Sequence, residues 1–295
     1  MRVLAPGWLH VDGDRIVEVG EGAPPREPDV DLGGASVVPG FVDLHVHGGG
    51  GASFDLGTAD AAAVVADTHL AHGTTSMAAS LVTDTPQQMA DAVRELALLV
   101  QDGRLSGIHL EGPWLSPQRS GAHQPGSLTH PEPAAVQALL AAGDGAVRMV
   151  TLAPELPGGI EAVRQLADAG VVAAIGHTDA MAAAGAPDGD YRLGPMAIEV
   201  RDGVARLADG NGTGAIAGST LTMDAAVRFA VRTAGLPLLD VVHAASTAPA
   251  RAWGLDDVGA LEAGRRADLV VLDEGLHVVR TMRAGAWVNP SSTPA

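Results

Sequence analysis

Apolar and polar positions along this chain follow two rhythms. Short apolar runs bounded by Gly, Pro and Asp predict strands at Phe41–His47, Thr74–Leu81, Gly107–Glu111, Val147–Ala153 and Val171–His177. Between them, spacing close to 3.6 predicts helices over 59–71, 85–101, 132–142 and 159–169. Strand-then-helix repetition implies an α/β architecture with a parallel sheet and right-handed crossovers. Both ends read differently. Arg15–Val19 and Ala35–Val38 at one end, and Ala267–Leu272 and Val278–Met282 at the other, are short strands around turns. That texture predicts one small β domain built from residues 1–38 and 256–295, beside a larger domain over 39–255. From about 186 to 215 the chain turns to Gly- and Asp-rich short strands, and helix patterns follow at 222–234 and 238–253.

The strand at Phe41 ends in His45 and His47, spaced i,i+2. Period two places both imidazoles on one side of a strand. Glycines at 48–51 follow at once, where backbone can approach a ligand closely. Two imidazoles at a strand's C-terminal end suit half of a divalent-metal site. An isolated His-x-His also occurs as a plain hydrogen-bonded pair, so the rest of the chain has to decide.

Composition removes several chemistries. There are no cysteines, which excludes disulfides, thiolate metal sites and cysteine nucleophiles. All 18 basic residues are arginine, so Schiff-base, phosphate-loop and carbamylated-lysine sites are excluded too. A net charge of −17 argues against nucleic acid or an anionic membrane as partner. Hydrophobic residues make up 46% and aromatics only 3%, so the core must rest on Ala, Val and Leu. The N-terminus has no signal-type apolar region and no apolar run reaches ~18 residues, which predicts a soluble, cytoplasmic protein.

Three more motifs fall at predicted strand ends: His109-Leu-Glu-Gly-Pro113, Thr151-Leu-Ala-Pro-Glu155 and Gly176-His-Thr-Asp-Ala180. In closed α/β barrels this rim carries the chemistry. Glu111 can ligate a hard ion beside imidazoles, His177 can add a nitrogen, and Asp179 can serve as general base and then acid. Each alone is an ordinary strand-end polar group. Four at strand ends in one chain make coincidence a poor explanation.

Val38-Pro-Gly-Phe-Val-Asp-Leu-His-Val-His-Gly48 resembles the first-strand signature of the amidohydrolase superfamily. Within it, His109–Pro113, Gly121-Ala-His123, Gly176–Ala180 and Ala217-Gly-Ser-Thr-Leu-Thr-Met223 resemble the N-acetylglucosamine-6-phosphate deacetylase family, and Gly264–Leu272 resembles the closing β segment. The resemblance implies a TIM-like (β/α)8 barrel with a small β-sandwich domain from both termini. It implies hydrolysis of the N-acetyl amide of N-acetylglucosamine 6-phosphate by metal-activated water, giving glucosamine 6-phosphate and acetate. Carried over by position, the metal ligands are Glu111 and His177, with His45 and His47 matching a pair that can bind a second metal. The catalytic aspartate is Asp179. Ala122, His123, Ile216, Ala217 and Gly218 match substrate contacts. The implied cofactor is a divalent metal, Zn or Fe by ligand type. The implied partner is an amino-sugar phosphate, and the family's habit of pairing subunits implies a homodimer.

One departure stands out. Thr178-Asp179-Ala180 ends the motif of the family's fifth strand and also begins that of its eighth. Strands six and seven are therefore expected to be missing, and with them a third metal histidine and a phosphate-binding arginine. The other histidines offer no replacement; His69 and His72, i,i+3 at a helix end, are expected on the surface. A shortened barrel breaks the relation between strand number and shear, so little or no deacetylase activity is expected. Two alternatives remain at this level: another amidohydrolase acting on a cyclic amide, and a non-catalytic remnant of the family.

Overall fold

The computed structural model describes residues 2–119, 121–174, 180–209 and 214–288. It divides into two compact units, one made of Met1–Asp43, His69–Ser76 and Thr222–Ala295, the other of Leu44–Thr68 and Met77–Leu221.

Most of the strand–helix repeats fall in the second unit. The parallel sheet contains β1 (Phe41–Val46), β2 (Thr74–Leu81), β3 (Gly107–Glu111), β4 (Val147–Thr151) and β5 (Val172–Ala174), hydrogen-bonded in the order β5–β4–β3–β2–β1. The pairs β2–β3, β3–β4 and β4–β5 are parallel. Every residue of β2 and β3 is buried, as expected for parallel strands covered on both faces. The connecting helices are α1 (Ala59–Ala71), α2 (Pro86–Gln101), α3 (Pro133–Ala142) and α4 (Gly159–Asp168). Thr85 starts α2 by accepting the Gln88 amide on its hydroxyl, with Pro86 in the first turn. Met89, Val93, Leu96 and Ala97 then share one face at helical spacing and enter the main core with Ile108, Leu110 and Val150. Each fully buried aliphatic side chain there stabilises the fold by about 1.5–3 kcal/mol.

The strand expected over Val171–His177 is observed at Val172–Ala174; its remainder lies outside the described residues. On the far edge of the sheet, Val46 bridges Ala180 in parallel, and Ala180 bridges Ser219. The His47 amide donates to the Ala180 carbonyl. Residues 172–174 thus border β4, and Ala180 borders β1. Strands Gly189–Leu193, Met196–Arg201 and Val204–Leu207 form an antiparallel meander, which packs Ile198, Val200 and Ala205 against Met181, Ala183 and Ala217.

In the first unit, Ser36–Pro39 pairs antiparallel with Leu269–Leu272, which also pairs with Val278–Arg283. Alternation makes Leu269-Val-Val-Leu272 a strand buried on both faces. Leu269 and Val271 join Ile16 and Met282, whereas Val270 and Leu272 join Phe41, Val227 and Val242. The helix expected over 238–253 runs through Leu238–Val242 and Ala248–Ala252, with a π-helical turn at His243–Thr247 between them. Pro249 has no amide hydrogen to continue the regular ladder there.

Contrary to the surface expectation, the histidines at the C-terminal end of α1 are tied into the fold. His69 is fully buried. His72 is partly exposed, and its Nδ1 lies 3.1 Å from Asp224 Oδ1, in a network that Thr222 and Arg228 complete. The i,i+3 spacing could not show this, because Asp224 is distant in sequence and near only in the fold.

Candidate metal centre

All the groups of the candidate centre lie in the second unit. His45 and His47 leave the end of β1 on the same side, with their Nε2 atoms 2.8 Å apart. From the end of β3, Glu111 brings Oε2 to 3.0 Å from His47 Nε2 and 3.8 Å from His45 Nε2. The three side chains are at least nine-tenths buried. Their ligand atoms lie within 4.8 Å of one another, the one such convergence of three ligand-type side chains among the described residues. Two imidazole nitrogens and one carboxylate oxygen form a donor set for a borderline divalent ion. The fit is chemical as well as spatial. With their Nε2 protons displaced, both imidazoles and the carboxylate would offer lone pairs to one shared cation, which suits a divalent ion.

Local structure fixes each group. Thr83 Oγ1 donates to the Glu111 carbonyl at 3.0 Å, and the Gly112 amide donates to the Thr151 carbonyl, so the end of β3 is held from both sides. The His47 carbonyl accepts from Ser53 Oγ and from the Phe54 amide. The glycine run serves the chain itself rather than a ligand. Gly48–Gly49 pairs with Ala52–Ser53 across a Gly50–Gly51 turn whose φ values are both positive, +61° and +85°. A Cβ on Gly48 would stand 2.4 Å from the Ala52 carbonyl oxygen and 2.8 Å from Ala182 Cα, so only glycine lets these backbones meet.

His123, expected at a substrate contact, approaches the same carboxylate. Its Nε2 is 3.4 Å from Glu111 Oε2, while the Thr83 amide faces its Nδ1 at 3.4 Å. That amide can only donate, so the ring proton sits on Nε2 and points at Glu111. Of the other expected substrate contacts, Ala122 packs on the apolar cluster that contains Ala217, which is fully buried. Ile216 is exposed and bridges Arg206, and Gly218 adopts a positive φ beside Ser219. His177 and Asp179 lie outside the described residues.

The sequence does not single out Ser80 or Thr83, and it marks Thr151 only as the start of a strand-end motif. Ser80 and Thr151 flank His109 at 2.9 Å each, and Thr83 braces Glu111. The available signal was the i,i+2 step from His109 to Glu111, which puts a second polar residue on the ligand-bearing face of β3.

Comparison with known proteins bears on the same residues. The amidohydrolase family model matches twice, over residues 36–186 and 156–288, and the two matches overlap. An N-acetylgalactosamine-6-phosphate deacetylase from Escherichia coli O157:H7 is 30% identical, over 85% of this chain and 86% of its own. Human N-acetylglucosamine-6-phosphate deacetylase is 29% identical, over 97% and 89%. That alignment runs over 379 positions against 295 residues here, so at least 84 of them face no residue of this chain. The crystal structure of N-acetyl-D-glucosamine-6-phosphate deacetylase from Mycobacterium smegmatis superposes with a TM-score of 0.91 at 42% identity, covering 96% of this chain and 95% of that one.

Proposed function

The chain belongs to the amidohydrolase family, and from that premise we propose that it is a metal-dependent deacetylase of N-acetylglucosamine 6-phosphate with low turnover. The observation that carries the reading is the convergence of His45, His47 and Glu111 donor atoms at the ends of β1 and β3, two strands with β2 between them. His45, His47 and Glu111 would hold a divalent ion, with His177 as a further ligand. When bound, such an ion polarises an amide carbonyl and lowers the pKa of a water toward 7. His123 holds Glu111 in place through its Nε2 proton. Asp179 takes the proton of the attacking water and returns it to the departing amine, so that amide and water become amine and acetate. Of the substrate-contact positions, Ala122, His123, Ile216 and Gly218 meet the sugar in this reading, and Ala217, fully buried, packs in the cluster that Ala122 joins.

Low turnover follows from the overlap of the two family matches on residues 156–186 and from the unmatched positions in the human alignment. Both support the absence of strands six and seven from a barrel of this type. Residues 172–174 border β4 and Ala180 borders β1, which limits the open edge that such a loss would leave. Residues 1–38 and 256–295 make up the small β domain in this reading, and a homodimer is its assembly.

Acetate release from N-acetylglucosamine 6-phosphate with added Zn²⁺ tests the proposal. Slow, metal-dependent release, lost in Glu111→Gln, is expected. Release no faster than in that variant would sink the deacetylase reading, and turnover within the ordinary range of ~1–10³ s⁻¹ would sink the low-turnover part.

A further inference from the structure

His109 lies one step below Glu111 on β3 and faces the same side, whereas Ile108 and Leu110 enter the main core. It is fully buried. Its Nδ1 is 2.9 Å from Ser80 Oγ on β2, and its Nε2 is 2.9 Å from Thr151 Oγ1 on β4. Ser80 Oγ in turn accepts the amide of Val46 at 3.0 Å, the residue between the two metal-site histidines. A side-chain hydroxyl on the next strand thus meets the Val46 amide. The His109 ring also packs edge-to-face with the His45 ring, with centroids 4.4 Å apart.

These contacts form one polar belt across four adjacent strands: Val46 on β1, Ser80 on β2, His109 on β3 and Thr151 on β4. Either neutral tautomer completes it, with one ring nitrogen donating and the other accepting. Both nitrogens are used sideways, so His109 is neither a ligand nor a proton carrier. An apolar residue would fill the same space, but it would leave the Ser80 and Thr151 hydroxyls buried without this partner.

We propose that His109 is a positioning residue which, through Ser80 and Thr151, sets the separation of the His45–His47 pair from Glu111 and so tunes metal affinity. The proposal rests on the metal-site reading above. Ligand geometry in such centres is governed by hydrogen-bonded neighbours whose loss typically weakens binding by about 10- to 100-fold.

Direct titration with Co²⁺, followed by its visible absorption, and Zn²⁺ competition against a chelating dye test it without reference to turnover. Ser80→Ala, Thr151→Val and His109→Gln are expected to weaken Co²⁺ binding by about tenfold or more and to shift its absorption band. Thr151→Ser, which keeps the hydroxyl, is expected to bind as the wild type does. Leu139→Ala, a core cavity on α3 away from the belt, is expected to lower thermal stability while leaving Co²⁺ affinity unchanged. If the wild type binds Co²⁺ and all three belt variants bind within twofold of it, the positioning role is overturned while the metal site stands. Equal weakening in Leu139→Ala would reduce the effect to general destabilisation and also overturn it. A wild type that binds neither Co²⁺ nor Zn²⁺ would remove the metal site and this proposal together.

Discussion

His47 Nε2 and Glu111 Oε2 stand 3.0 Å apart, a buried contact made between the ends of two strands that are not adjacent in the sheet. A ligand held only by the folded state stabilises that state in proportion to its occupancy. Zn²⁺ at 100 times its Kd should therefore raise unfolding free energy by about 2.7 kcal/mol, read as a rise in Tm that EDTA reverses. Glu111→Ala should abolish the rise. An equal rise in that variant would place the ion elsewhere.

Much of this centre was legible in advance. The i,i+2 step from His45 to His47 and the turn forced by Gly112-Pro113 beside Glu111 both followed from strand geometry. The strand–helix alternation likewise announced the sheet, because each apolar run was short and closed by turn residues. Three features were hidden for one reason: they depend on which distant segments the fold brings side by side. His123 belongs to a loop after β3 and meets Glu111 only through the fold. Ser80 and Thr151 are unremarkable hydroxyls until the β2–β3–β4 order places His109 between them. His69 and His72 looked like a surface pair, since nothing in α1 itself reveals Asp224.

That acidic partner carries a pH dependence. Burial pushes the Asp224 carboxyl up, but hydrogen bonds from His72, Thr222 and Arg228 outweigh it and hold the group well below its ordinary range. Because the folded pKa lies below the unfolded one, near ~3.9, the carboxylate's stabilisation is complete above the unfolded value. It is lost as pH falls through the lower folded value. Asp224→Asn should cost roughly 2 kcal/mol at pH 7, less than the ~3–5 of a fully buried pair, since His72 and Arg228 reach solvent. Denaturant unfolding between pH 5 and pH 2 should show a shallower acid limb in the variant. An unchanged limb would remove Asp224 from the acid response.

Gly48 and Gly51 separate crowding from backbone conformation. At Gly48 a methyl group would meet backbone atoms of Ala52 and Ala182, none of which can rotate away. At Gly51 nothing lies within 4 Å, and the only obstacle is the positive φ of +85°. Gly51→Ala should cost about 1 kcal/mol. Gly48→Ala should cost more, about 2–3 kcal/mol, and should weaken Zn²⁺ binding because the strain falls next to His47. Equal costs with equal metal affinity would mean that the Ala182 segment yields freely.

His123 offers a choice between two roles that metal titration can separate. As a ligand it would present a lone pair at Nε2. The Thr83 amide instead faces Nδ1 and leaves the proton on Nε2, directed at Glu111 Oε2. A group that orients a ligating carboxylate alters affinity without altering how many ions bind. His123→Ala should therefore keep one ion per chain in equilibrium dialysis while weakening Zn²⁺ about tenfold. His123→Gln, which can still donate a hydrogen bond toward Glu111, should recover part of that loss. Complete loss of stoichiometric Zn²⁺ in both variants would make His123 a ligand and reverse the tautomer assigned to it.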